Sequence, residues 1–140
     1  MEPIEATAAE AQAAIIDEFA FFSDWSERYQ YLIDLGKRLP ALSDNEKTEK
    51  NRLLGCQSNV WIVPNKENHK LYFSAASDSS IVSGLVYLAL RVYSGRSPEE
   101  ILAAEPSFVQ AIGLSKHLSP TRNNGFASLL AFIRQAAQQS

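Results

Sequence analysis

Apolar residues recur along the chain at helical spacing, then at strand spacing, then at helical spacing again. Ile15, Ile16, Phe19 and Phe22 form a stripe of about 3.6-residue period, and Thr7 with Glu10 has the spacing of a capping box just ahead of it. A second helix is expected from near Asp24, with Trp25, Tyr29, Leu32, Ile33 and Gly36 on one face. Pro40 should end it, because proline disfavours a helical Leu39 and brings no N–H. Residues 43–50 are polar throughout and read as a solvated loop.

Two strands should follow. Val60, Trp61, Ile62 and Val63 are β-branched or aromatic, and from His69 to Ser74 the apolar Leu71 and Phe73 alternate with Lys70 and Tyr72. Pro64 to Asn68 between them is turn chemistry, so the economical pairing is an antiparallel hairpin. Beyond it, Asp78, Ser79 and Ser80 offer caps to a segment in which Ile81, Val82, Leu85, Val86, Leu88, Ala89 and Val92 fall nearly all round a helix. Such a helix belongs in the centre of a core, and Gly95 can stop it. Ser97-Pro98-Glu99-Glu100 and Ser119-Pro120 are helix starts, the second leading into Phe126, Leu129, Leu130 and Ile133 on an inward face. N-terminal helices, a short antiparallel sheet and C-terminal helices make an α+β fold, expected as a single compact domain over 1–140 with residues 1–6 flexible.

Composition narrows the function classes. A chain of 140 residues that is 46% hydrophobic and 21% charged can bury a core of its own. A formal net charge of -3 gives no reason to expect nucleic acid, and no apolar run approaches the roughly 18 residues of a membrane span. Glu2, Glu5, Asp17 and Glu18 stand where an export signal would carry basic and then apolar residues. The one cysteine forbids an internal disulfide and suits a reducing compartment, so a cytoplasmic location is expected.

No phosphate-cradling glycine motif is present, and one Cys with two distant His, His69 and His117, falls short of the ligand set of a structural zinc or an iron–sulfur cluster. The remaining candidate is Cys56. A lone cysteine is more often a small packing residue than a nucleophile, but this one stands in Gly55-Cys56-Gln57-Ser58, at the junction of a polar loop and a strand. Gly55 admits backbone conformations and close approaches that other residues do not, and Gln57 and Ser58 bring hydrogen-bonding groups in place of core side chains. A thiol in this setting can attack an electrophilic sulfur held on another protein's cysteine and leave as a persulfide. At pH 7 an ordinary thiol is only about 3% thiolate, so a nearby cation would help, and Arg52 and Arg122 are the candidates. Two other readings stay open at this level. In one, the surface around Cys56 and Asp78 is a non-catalytic binding regulator of a partner enzyme. In the other, His117 or His69 serves the thiol as the base of a hydrolase.

The run from Asn51 to Trp61, Asn-Arg-Leu-Leu-Gly-Cys-Gln-Ser-Asn-Val-Trp, resembles the signature segment of the SufE family, sulfur-acceptor proteins of iron–sulfur cluster assembly. Ser77 to Leu85 resembles the family's S-D-A-x-I-V-x-G-L stretch, with Ser79 where alanine is usual. Leu118 to Gly125 resembles its L-[ST]-P-x-R-x-x-G stretch. The likeness runs in order from about residue 18 to residue 137. It implies an α+β fold similar to that of the IscU-type scaffold proteins. It implies that Cys56 accepts persulfide sulfur from a cysteine desulfurase, SufS- or CsdA-like, stimulates that enzyme, and passes the sulfur to a downstream iron–sulfur scaffold. Pyridoxal phosphate would then belong to the partner, with no cofactor and no metal in this chain. Gly55, Gln57 and Ser58 are carried over as the loop of Cys56, and Asp78 and Arg122 as residues of motifs that pack near it, while Arg52 is expected as site support on its charge alone.

Overall fold

Helix α3 (Ser80–Tyr93) is the axis about which the chain is wrapped, and every residue from Gly84 to Tyr93 is buried. In the computed structural model, which describes residues 1–140, it is preceded by α1 (Ala8–Ala20), α2 (Trp25–Gly36) and the hairpin β1 (Val60–Glu67) and β2 (Lys70–Ser77). It is followed by α4 (Pro98–Ala103), α5 (Ser107–Ala111), α6 (Leu114–His117) and α7 (Pro120–Gln138). Helices α1, α2 and α7 and strand β2 all pack on α3, and a single cluster of 29 buried hydrophobic residues joins them, which makes one α+β domain.

The local chemistry places the elements where the pattern puts them. Thr7 caps α1 by accepting from the Glu10 N–H, Asp24 caps α2 through Glu27, and Ser79 caps α3 through Val82. Ser97 and Ser119 do the same for α4 and α7, each with proline at the first helical position. The buried face of α2 is Leu32 and Leu35, with Ile33 only half-buried. The axes of α2 and α3 approach closely because Gly84 has no side chain: a Cβ there would lie 2.2 Å from the Leu32 carbonyl oxygen.

Two expectations are corrected. The segment Pro64 to Asn68 is not the turn. Both strands run on, Pro64 sits opposite Phe73, and the turn is Asn68-His69, both with positive φ, 52° and 63°. Two such residues at a two-residue loop give the turn whose twist matches a hairpin. Proline is tolerated within β1 because the sheet has only two strands, which leaves β1 with an outer edge that needs no donor at that position. Residues 43–50 also hold more structure than a plain loop, with short 3-10 turns at Asp44–Glu46 and Glu49–Asn51, though most of the stretch is exposed.

Buried polar groups tie the outer pieces on. The Arg91 guanidinium, on α3, bonds both the Glu5 and Glu18 carboxylates at 2.7 Å, and Arg96 donates to the Glu5 carbonyl. Gln12 of α1 reaches α5, accepting from the Phe108 N–H and donating to the Glu105 carbonyl. Residues 1–6 lack regular structure and lie along this core, with the N-terminal amine donating to the Phe73 carbonyl.

Candidate functional site around Cys56

The segment Leu53 to Val60 is a short loop pinned at its base. Leu53 donates its N–H to the Val60 carbonyl at 2.7 Å, and Arg52 bridges to Trp61 just outside. A second clip holds the strand side. The Asp78 carboxylate accepts from the Asn59 backbone N–H at 3.1 Å and from its side-chain amide at 2.9 Å, and the Asp78 N–H donates back to the Asn59 carbonyl. Between these clips the chain reverses at Gly55, whose φ of +90° lies where L side chains are strained. A Cβ at Gly55 would also come within 2.7 Å of Ser128 Oγ on α7. Both facts call for glycine beside the cysteine.

That turn directs Cys56 inward. Its Sγ–H donates to the Gly125 carbonyl of α7 at 3.6 Å, and the residue is half-buried. The thiol lines the wall of a cavity of about 310 Å³ between the loop, α3 and the first turns of α7. The inner wall is apolar, with Val82, Val86, Phe126 and Leu129. Gln57, Ser58, Ser119, Thr121 and Arg122 make its polar side. Burial pushes the Cys56 thiol above its ordinary value, so the resting group is the neutral thiol.

The residues expected around Cys56 divide accordingly. Gln57, Ser58 and Arg122 share its cavity, and Gly55 makes its turn. Asp78 does not reach the cavity; it acts one step away, through Asn59, on the loop's base. Arg52 does not line the cavity; it forms an ion pair with Glu49 at 3.2 Å and lines a separate groove that Cys56 does not reach. Four residues of spacing bring side chains together on a helix, but the chain between Arg52 and Cys56 is irregular, so that spacing carries no proximity here. Neither histidine lines the cavity: His69 pairs with Glu99, and the His117 ring stacks on Trp25 at 3.9 Å. The thiol therefore has no imidazole base beside it. No group of three or more His, Cys, Asp or Glu side chains is gathered that could hold a metal ion, and no helix is long and apolar enough to cross a membrane.

Two participants carry no role in the sequence reading. Asn59 is the partner that makes Asp78 matter, and its signal is its place three residues after Cys56, at the strand entry. Gly125 is the thiol's hydrogen-bond acceptor, and a glycine inside a helical pattern is the sign that would have marked it.

Comparison with known proteins identifies the family. Residues 13–137 match the SufE family, described as an Fe-S metabolism associated domain. A SufE-like protein of Rhizobium etli is 42% identical over 129 residues, 89% of this chain and 87% of the relative. One from Rhizobium meliloti is 40% identical over 89% of this chain and 92% of the relative. A third, from a Synechocystis species, is 34% identical over 89% and 79% respectively. The solution structure of a hypothetical protein from Thermus thermophilus superposes with a TM-score of 0.76 over 99% of this chain and 97% of that one, at 20% identity, a likeness of fold. With its ordered motif blocks, its α+β fold and a family match over most of its length, the chain belongs to the SufE family, whose domain is associated with Fe–S metabolism.

Proposed function

We propose that this protein is a sulfur acceptor, in which Cys56 receives sulfur from the persulfide of a partner cysteine desulfurase, stimulates that enzyme by clearing it, and passes the sulfur on to an iron–sulfur scaffold. The observation that carries the reading is the thiol's placement. Cys56 sits on a loop whose backbone is hydrogen-bonded only at its two ends, turned inward against α7, at a cavity without an imidazole base. A thiol with no catalytic base of its own suits a reaction in which another protein supplies the activated sulfur.

The transfer balances without an added oxidant or reductant. The Cys56 thiolate attacks the outer sulfur of the donor's Cys–S–S⁻ group, a new S–S bond forms on Cys56, and the donor's S–S bond breaks with its electron pair leaving on the donor cysteine. The Cys56 proton is lost to solvent or to the donor thiolate. The raised thiol pKa keeps the resting cysteine quiet towards stray electrophiles. Contact with a donor requires the loop to turn outward, and Gly55 between two fixed ends is where that rotation can occur. Gln57 and Ser58 move with it, while Arg122 remains on α7 to face the incoming anionic persulfide. Pyridoxal phosphate belongs to the donor in this scheme, and the reducing cytoplasm is where such a thiol would stay available.

Mass spectrometry tests the reading. Incubation with a matched desulfurase and free cysteine should add one sulfur, about 32 Da, to the peptide carrying Cys56. Cys56→Ser should fold, take up no sulfur and fail to stimulate the desulfurase. Full stimulation by the serine variant would replace the acceptor reading with that of a pure binding regulator.

A further inference from the structure

Gly125 occupies the sixth position of α7, a 19-residue helix, where glycine is disfavoured relative to alanine. Something outside the helix must therefore favour a residue without a side chain. The structure names it: a Cβ built on Gly125 would meet Cys56 Sγ at 3.3 Å, then Cys56 Cα and Cβ at 3.8 Å, and all three of its nearest neighbours belong to Cys56. The same residue's carbonyl accepts the thiol S–H. One turn further along α7, Ser128 leaves no room for a side chain at Gly55, so the loop lies close against the helix at two successive positions.

We infer that Gly125 is a positioning residue that sets how firmly the Cys56 loop is held in its inward state, by leaving room for the sulfur and accepting its S–H. This deepens the sulfur-acceptor reading and rests on it only for the consequence to transfer; the seat itself is a matter of packing. A Cβ contact of 3.3 Å is tighter than ordinary, so one partner must give way. Helix α7 is buried along Phe126, Leu129 and Ile133, whereas the backbone of the loop is hydrogen-bonded only at its ends, so the loop yields. A methyl at position 125 should shift the cysteine outward, where water and donors reach it. Arg122 is the only charged side chain lining the cavity, so desolvation by the cavity wall sets the thiol's titration, and loss of the seat should relax it.

The test compares Gly125→Ala with the unaltered protein. Alkylation of Cys56 by iodoacetamide at neutral pH should speed up several-fold, and the pH of half-maximal alkylation rate should fall towards that of an ordinary thiol. Melting temperatures give an independent readout. In a Cys56→Ala background, Gly125→Ala should raise the melting temperature, as alanine normally does within a helix. With Cys56 present the rise should shrink or reverse. That non-additivity measures the seat directly and holds whether or not the protein accepts sulfur, so its failure is distinct from a failure of the acceptor reading. An equal melting shift in both backgrounds, together with an unchanged alkylation profile, would overturn the inference.

Discussion

Burial makes the Cys56 thiol harder to ionise, and that decides how it should react on its own. The pH of half-maximal alkylation in the free protein should lie above the ordinary thiol value of about 8.5. Arg52→Ala should leave that profile where it is, since Arg52 pairs with Glu49 and lines a groove separate from the thiol's cavity. Movement of the midpoint in this variant would mean that Arg52 turns towards the thiol in solution. Much of this residue-scale picture is legible in the chain: the Gly-Cys-Gln-Ser loop and the block containing Arg122 identify the thiol and one wall of its cavity. Arg52 is misjudged for a physical reason, because proximity from sequence spacing needs a regular backbone. Gly125 goes unassigned because what a missing side chain makes room for can be seen only when the facing loop is in place.

At the scale of elements, the hairpin shows where pattern reading holds and where it slips. The alternation of Leu71 and Phe73 with polar neighbours places β2 correctly, since period-two burial is a property of the strand itself. The turn is misplaced because tolerance of Pro64 depends on the absence of a third strand, which is a property of the sheet. The true turn strains His69, a non-glycine residue with φ of 63°. His69→Gly should relieve it and stabilise the fold by up to about 1 kcal/mol, net of the greater freedom glycine gives the unfolded chain. Urea unfolding would show this as a higher midpoint at unchanged slope, and a lower midpoint would mean that the exposed His69–Glu99 pair outweighs the strain. The Asp78 clip belongs to the same scale. Asp78→Ala removes two bonds accepted from Asn59, at an expected cost of about 1 kcal/mol. Because those bonds fix one end of the Cys56 loop, hydrogen exchange at the Asn59 amide should accelerate more than exchange in α3.

Across the whole molecule, the central helix and the order helices–strands–helices follow from hydrophobic periodicity, because a helix that is apolar all round has only one place to go. The polar ties between layers are not legible that way, since Arg91 reads in sequence as one cation in an apolar helix with no indication of which acids approach it. In the fold it joins three pieces: α3, α1 through Glu18, and the N-terminal stretch through Glu5. Its hydrogen bonds hold the Glu18 carboxyl below the usual carboxylate value, and burial together with Glu18 pushes the Tyr31 hydroxyl up to about 12. Removing one partner of a buried ion pair leaves the other charges uncompensated, so Arg91→Ala should cost about 3 kcal/mol at neutral pH. The pH dependence fixes the sign. A carboxyl whose folded pKa is depressed stabilises the fold above its unfolded value, here near 4.5, and loses that contribution as pH falls through the folded value. The unaltered protein should therefore lose urea resistance progressively below about pH 4.5, while Glu18→Gln and Arg91→Ala, already weakened at neutral pH, should both show a shallower acid decline. If Arg91→Ala instead declined as steeply as the unaltered protein, Glu18 would not be the group whose protonation loosens the core, and the acid limb would have to come from carboxylates away from α3.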